Sequence, residues 1–240
     1  MRSWIAGLVV LAALMLAACS DKDVRLLNPA DSPYAPLIDP ADFSASTTID
    51  NPFFPLPVGR TWIYEGGDEH IEVEVTDQTR IVMGISCVVV RDRVWEDDEL
   101  VEDTCDWYAQ DDDGNVWYMG EETEELEGGV VVSTAGSWEA GVDGALPGII
   151  MLARPLAGLW YRTEYYQGEA EDLAQVLGLN ETVTVPAGTY TGCVRILDFS
   201  ALEPDVAEHK TYAPGVGLVK EVVVRGGSGS IELISVGSGT

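Results

Sequence analysis

The residues predict an all-β fold, mainly antiparallel: a curved sheet, barrel or sandwich carrying at most one short helix. Two observations carry that expectation. Apolar and polar residues alternate with period two, most cleanly in His70-Ile71-Glu72-Val73-Glu74-Val75-Thr76, where Ile71, Val73 and Val75 share one face. Turn-forming clusters recur at close spacing between such runs, among them Asp111-Asp112-Asp113-Gly114-Asn115 and Gly226-Gly227-Ser228-Gly229-Ser230.

Taken in order, the chain divides into three parts. Residues 1–18 hold one positive charge at Arg2, an almost wholly apolar run from Trp4 to Leu16, and small residues at Ala17 and Ala18. That is the layout of a secretory signal, and the run is too short for a spanning helix, which needs roughly 20 apolar residues. Residues 19–55 are expected to be a tether. Seven of the twelve prolines fall within 20–57, and an extended Pro-rich arm of that length reaches on the order of 100 Å. Phe43, Phe53 and Phe54 argue that part of this arm packs on the domain instead, because leaving them wet is unfavourable. Residues 56–240 form the β domain, with strands expected at 85–95, 100–110, 116–120, 130–133, 159–167, 181–185, 192–198, 210–213, 217–224 and 231–236. Two stretches are less regular. Residues 168–179 suit either a short helix or the start of a long strand, and the strand is favoured because they lead directly into Val183-Thr184-Val185. Residues 134–158 read as a long loop with an apolar run, Ile149-Ile150-Met151-Leu152, that either plugs the core or serves as a lid.

Leu16-Ala17-Ala18-Cys19 resembles the lipobox of bacterial lipoproteins. The resemblance implies cleavage before Cys19, diacylglycerol on its sulfur and an acylated amine, so the membrane is a partner through the lipid anchor. Two or three chains hold stably where one does not. Ser20 follows, where Asp in that class favours the inner membrane. The expected location is therefore the cell envelope, on the periplasmic face of the outer membrane or the cell surface if the cell has two membranes. Three further segments, Leu56-Pro57-Val58-Gly59-Arg60-Thr61-Trp62-Ile63-Tyr64, Val183-Thr184-Val185-Pro186-Ala187-Gly188-Thr189-Tyr190 and Tyr212-Ala213-Pro214-Gly215-Val216-Gly217-Leu218-Val219, resemble the "LPVGxxWxY", "VTVPAGTF" and "YAPGVGLV" elements of uncharacterised secreted bacterial β proteins. That likeness implies an antiparallel β fold and transfers no catalytic residue.

Composition narrows the function classes. A net charge of −28 argues against nucleic acid and against an anionic lipid surface as partners. An apolar share of 46% is enough to build a core, which excludes a disordered chain. Beyond Cys19 there are three cysteines, Cys87, Cys105 and Cys193, in no zinc spacing. An exported protein permits a disulfide; Cys87 and Cys193, both in apolar strands, either pack or pair across a sheet, with Cys105 the other possible partner.

Several constellations invite chemistry. Between Asp92 and Glu127 stand sixteen carboxylates and a single base, Arg93. Within that band Asp111, Asp113 and Asn115 are candidate Ca²⁺ ligands, although the EF-hand register fails and a solvated hairpin turn is the plainer reading. Among the aromatics, Trp107, Trp117, Trp138, Tyr165 and Tyr166 are candidates to line an apolar pocket; cross-strand pairing is the alternative. Tyr165 to Asp172, with Glu203 and Glu208, offers carboxylates for acid–base work if two converge in a pocket. His70 and His209 lie in no metal spacing, and no nucleophile elbow or phosphate-binding loop is present. The sequence thus favours a non-catalytic β module binding an apolar ligand or an envelope protein, with no cofactor unless Ca²⁺. A Ca²⁺-binding or structural surface protein and a carboxylate-based hydrolase are the alternatives.

Overall fold

The structure, a computed structural model, describes residues 33–238. Cys19 and the leader expected over 1–18 lie outside them.

The period-two pattern becomes fifteen strands, every pairing antiparallel. They are β1 (Thr61–Gly66), β2 (Glu69–Val82), β3 (Ile85–Glu96), β4 (Glu99–Gln110), β5 (Val116–Glu127), β6 (Val130–Ser133), β7 (Trp138–Glu139), β8 (Leu146–Met151), β9 (Trp160–Arg162), β10 (Glu164–Tyr165), β11 (Asp172–Val185), β12 (Gly188–Ser200), β13 (Ala207–Ala213), β14 (Gly217–Arg225) and β15 (Ser230–Gly237). No α-helix occurs among the described residues; a single 3₁₀ turn spans Pro40–Asp42. The sheet runs β10-β8-β5-β4-β3-β2-β1-β15-β14-β13-β12-β11-β9, with β6 and β7 attached to β5.

The two ends of that order are neighbours in the chain. β9 pairs with β11 and β10 pairs with β8, yet only Thr163 separates them. One short segment therefore changes partner in mid-course and curls the sheet into a nearly closed barrel. Thr163 is buried, and its N–H donates to Asp172 O at 3.0 Å. Close approach at this seam demands a glycine opposite: a Cβ on Gly148 would stand 2.2 Å from the Thr163 carbonyl carbon. Closure removes the free edges that a long open sheet would expose.

The barrel wall is bulged where wide side chains meet. Between β4 and β5 the register shifts at Trp107/Tyr108, opposite Gly120. Gly120 has φ +134°, and a Cβ there would meet the Trp138 carbonyl oxygen at 2.4 Å.

One end of the barrel is plugged by residues 34–57. Phe43, Ile49 and Leu56 are buried, and Phe43 meets Trp117 edge to face at 6.4 Å. Asn51, 2% exposed, ties the plug down. Its N–H donates to Gln110 Oε1 (2.9 Å), its Nδ2 to the carbonyls of Gly114 (2.9 Å) and Leu152 (3.2 Å), and its Oδ1 accepts from Phe53 N–H (2.9 Å). Further out, Tyr34 Oη donates to Pro147 O at 2.8 Å. The tether expected over 19–55 is therefore corrected for its second half. Burial of the phenylalanines and isoleucine outweighs the extended preference of the prolines.

Two other expectations change. Residues 134–158 are not one long loop: they contain β7 and β8, and the run Ile149-Ile150-Met151 lies in β8 against β5, with Met151 wholly buried. The strand expected over 159–167 is broken by the partner change at Thr163. Residues 172–179 are strand, the opening half of β11.

Candidate functional site

The barrel encloses a hollow of about 270 Å³ above the plug. Its apolar lining comes from Phe54 and Leu56 of the plug, Trp62 and Tyr64 of β1, Tyr108 of β4 and Tyr212 of β13. Two of the sequence motifs build this wall by locking onto each other. Trp62 Nε1–H donates to Val216 O at 2.8 Å, Tyr64 Oη to Leu218 O at 3.0 Å, and Arg60 Nη2 to Gly215 O at 2.8 Å. The aromatic-rich opening strand thus satisfies the carbonyls of the β13–β14 hairpin, which buried backbone requires. Gly217 lies 3.8 Å, measured from an added Cβ, from the Trp62 indole nitrogen, leaving the indole room.

Polar groups make up the rest. Asp92, Asp106, Lys210 and Glu221 line the same hollow. The Lys210 ammonium is 2.9 Å from Asp198, 3.8 Å from Glu221 and 4.0 Å from Glu208. Burial works against its charge, but those three carboxylates outweigh burial and hold it protonated. A quarter of its side-chain area, 26%, remains open toward the hollow. Beyond Glu221 and Ile231 lies a second space of about 450 Å³ at the unplugged end, edged by Asp68, Glu69, Glu96 and Glu208. The hollow therefore adjoins an acidic mouth.

The buried acids hold protons. Tyr118 Oη lies 2.6 Å from Asp106 Oδ1 and 2.7 Å from Glu121 Oε2. A phenol has one proton for these two acceptors, so one carboxyl must itself donate. Burial, then the charges of Glu121 and Asp92, push Asp106 well above the usual carboxylate range, which makes Asp106 the protonated partner. Glu164 and Asp172 meet at the seam: burial, then the Asp172 charge, raises Glu164, whereas Asp172 is raised by burial against the hydrogen bond from Glu164, with Trp138 Nε1–H donating to Glu164 Oε2 at 3.1 Å. At the mouth Glu208 is raised to about 7 by burial and the adjacent Glu221 carboxylate, and donates to it.

Asp92 differs from all of these. It is half-buried and lines the hollow, and its Oδ1, itself enclosed, has no hydrogen-bond partner among the described residues. Burial, then Glu102 and Glu221, raise its carboxyl to about 7. Arg93, its sequence neighbour, sits on the opposite face of β3, 2.8 Å from Glu72.

The residues singled out from sequence fall elsewhere. Trp107 is buried beneath the Arg80 guanidinium, 3.8 Å above its ring. Trp117 donates to Asp111 Oδ2 at 2.8 Å beside Phe43. Trp138 packs edge-on against Tyr118 at 5.3 Å, and Tyr165 against Tyr34 at 5.7 Å. Tyr166 closes a backbone bridge with Ala170. None of these five lines the hollow; cross-strand packing and hydrogen bonding occupy them, and the pocket assignment is corrected to the aromatics of the motifs. Asp111, Asp113 and Asn115 form a turn in which Asp111 Oδ1 and Oδ2 accept from Asn115 N–H (2.8 Å) and Nδ2 (2.9 Å), while Asn115 Oδ1 accepts from Ala153 N–H (2.9 Å). Those oxygens are spent on the fold. Among the described residues, no group of three or more His, Cys, Asp or Glu side chains is placed to hold a metal ion. Cys87, Cys105 and Cys193 are free thiols, which corrects the Cys87–Cys193 pairing. Five strands separate β3 from β12 in the sheet, and burial pushes the Cys87 thiol up to about 12, leaving it inert.

A signal for the missed residues was present. Val88, Val90 and Asp92 share one face of β3, so Asp92 follows two buried valines inward; Asp106 likewise precedes Tyr108 by two.

No family model matches the chain, and no curated protein matches it. Two solved structures align along most of it. One is a provisionally assigned exported protein with a YmcC-like fold from Bacteroides fragilis: 15% identity, TM-score 0.46, covering 78% of this chain and 99% of that one. The other is a provisionally assigned lipoprotein from Parabacteroides distasonis: 12% identity, TM-score 0.43, covering 77% of this chain and 98% of that one. A likeness at this level carries no argument about activity or ligand.

Proposed function

We propose that this chain is an exported lipoprotein of the cell envelope, held at the membrane by acyl chains on Cys19, whose barrel binds a small ligand without transforming it. The anchor rests on the charged, apolar and small-residue order of residues 1–19. Ligand binding rests on one observation above the others: Asp92 lines a hollow and has a buried carboxylate oxygen that none of the described residues satisfies. An unpaired buried carboxyl destabilises a fold by several kcal/mol, so its retention beside an aromatic wall fits a group awaiting a partner. At about 270 Å³ the hollow falls just below the span of drug-sized sites, about 300–1,000 Å³, so the ligand is small.

Two measurements test this. Labelled fatty acid should enter the wild-type protein and not Cys19→Ser, with the wild type in the membrane fraction; an unacylated protein in the cytosol would sink the anchor. Native mass spectrometry of the protein purified in mild detergent should show a non-covalent small-molecule adduct that denaturation releases. Only the bare mass, together with co-purification of an envelope protein, would replace the ligand reading with a protein-partner one.

A further inference from the structure

We infer that the ligand is a small organic cation, an ammonium group attached to an apolar or aromatic body, with its nitrogen seated against Asp92 and its body against Trp62, Tyr108 and Tyr212. This rests on the ligand-binding reading above and names the ligand's chemistry.

Charge within the hollow excludes the opposite sign. Asp92 and Glu221 face it against one base, Lys210, and Asp106 beside them is held protonated. That base is already surrounded by Asp198, Glu221 and Glu208, so an anion reaching for it would meet the Asp198 and Glu221 carboxylates. Asp106 is engaged by Tyr118. Among the described carboxyls that line the hollow, Asp92 is the one with an enclosed oxygen that has no donor. A buried carboxylate gains most from a charge-assisted donor, which an ammonium supplies and a neutral hydroxyl supplies only weakly. Trp62, Tyr108 and Tyr212 line the same hollow, and aromatic rings favour a cation over an anion. The approach agrees: Asp68, Glu69, Glu96 and Glu208 rim the mouth that adjoins the hollow, and an acidic rim draws cations and repels anions. A bare divalent metal does not fit, since no set of three ligating side chains converges among the described residues.

The test uses the full mature lipoprotein in detergent and three probes of one shape: benzylamine, benzyl alcohol and benzoate. Binding is read by calorimetry and by the tryptophan fluorescence change expected from Trp62. Asp92→Asn, which keeps the shape and removes the charge, supplies the blank for detergent partitioning, and circular dichroism checks its fold. Benzylamine should bind about tenfold or more tighter than benzyl alcohol, benzoate should not bind, and Asp92→Asn should erase the difference. Should Asp92→Asn fail to fold, the ranking of the three probes on wild type decides alone. Equal binding of amine and alcohol, or preference for benzoate, overturns the cation assignment and leaves a ligand-binding hollow standing. If none of the three binds, the cation assignment falls; if the native adduct is also missing, the ligand-binding reading falls with it.

Discussion

The two ends of this barrel are built on opposite terms. At the plugged end the buried polar groups of the plug and its lock are paired: Asn51 makes four hydrogen bonds and the Trp62 indole caps a hairpin carbonyl. Toward the acidic mouth the interior crowds carboxyls together, shares protons among them and leaves Asp92 unmatched. The first arrangement maximises stability; the second spends some of it. Departures of this kind from local rules concentrate at functional sites, which is why the hollow, and not the larger depression of about 750 Å³ on the outer face of β2–β5, is the candidate site. That outer depression is lined by solvated side chains such as Glu74, Gln78 and Glu124, with Arg91 already paired to Asp103.

The contrast can be broken or sharpened by four measurements. The largest effect is expected at the plugged end. Trp62→Ala removes a buried indole and its bond to Val216, and should lower unfolding free energy in urea by about 3–5 kcal/mol; a loss under 1 kcal/mol would show that the motif lock is not what holds this end.

Next comes pH, which acts on the other end. A carboxyl raised by folding favours the folded state when protonated, so its stabilising contribution is complete below the unfolded value near 4 and is lost as pH rises through the folded value. For Asp92, raised to about 7, the loss between pH 5 and pH 8 is about 2.5 kcal/mol, and Glu208 acts in the same direction with less weight because it is more exposed. Thermal unfolding should therefore occur several degrees higher at pH 5 than at pH 8, and Asp92→Asn should flatten the slope. A midpoint that rises from pH 5 to pH 8 would contradict the buried, protonated interior.

Asn51→Ala comes third, at about 1–3 kcal/mol, because Gly114, Leu152 and the Phe53 N–H lose their side-chain partner in a buried setting. Protease cutting within residues 34–57 should increase alongside, since these residues depend on that anchor. The smallest effect belongs to the outer wall. Arg91→Ala breaks an ion pair with Asp103 on a solvent-facing strand, and its cost should stay within about 1 kcal/mol and shrink in salt. A larger loss would mean the outer face is not the passive surface described here.

Local chemistry made much of this molecule readable in advance. Alternation in Ile71-Glu72-Val73 marks strands because side-chain period is a property of the extended backbone itself, and turns such as Asp111 to Asn115 declare themselves through residues that bond their own backbone. The interior was less readable because each of its features needs two distant segments. Asp92 and Glu121 look like members of a solvated acidic band until the barrel closes around them, and Trp62 acquires its role only by reaching Val216.

Sequence by itself determined that this chain folds as antiparallel β, that it is strongly acidic, and that its first residues carry an export and lipidation pattern; all three follow from neighbours along the chain. Only tertiary structure decided that the sheet closes at Thr163, that residues 34–57 plug one end, and which carboxyls face inward. Closure is a long-range event, and whether an acid meets water or another acid depends on what the far wall of the barrel brings opposite it.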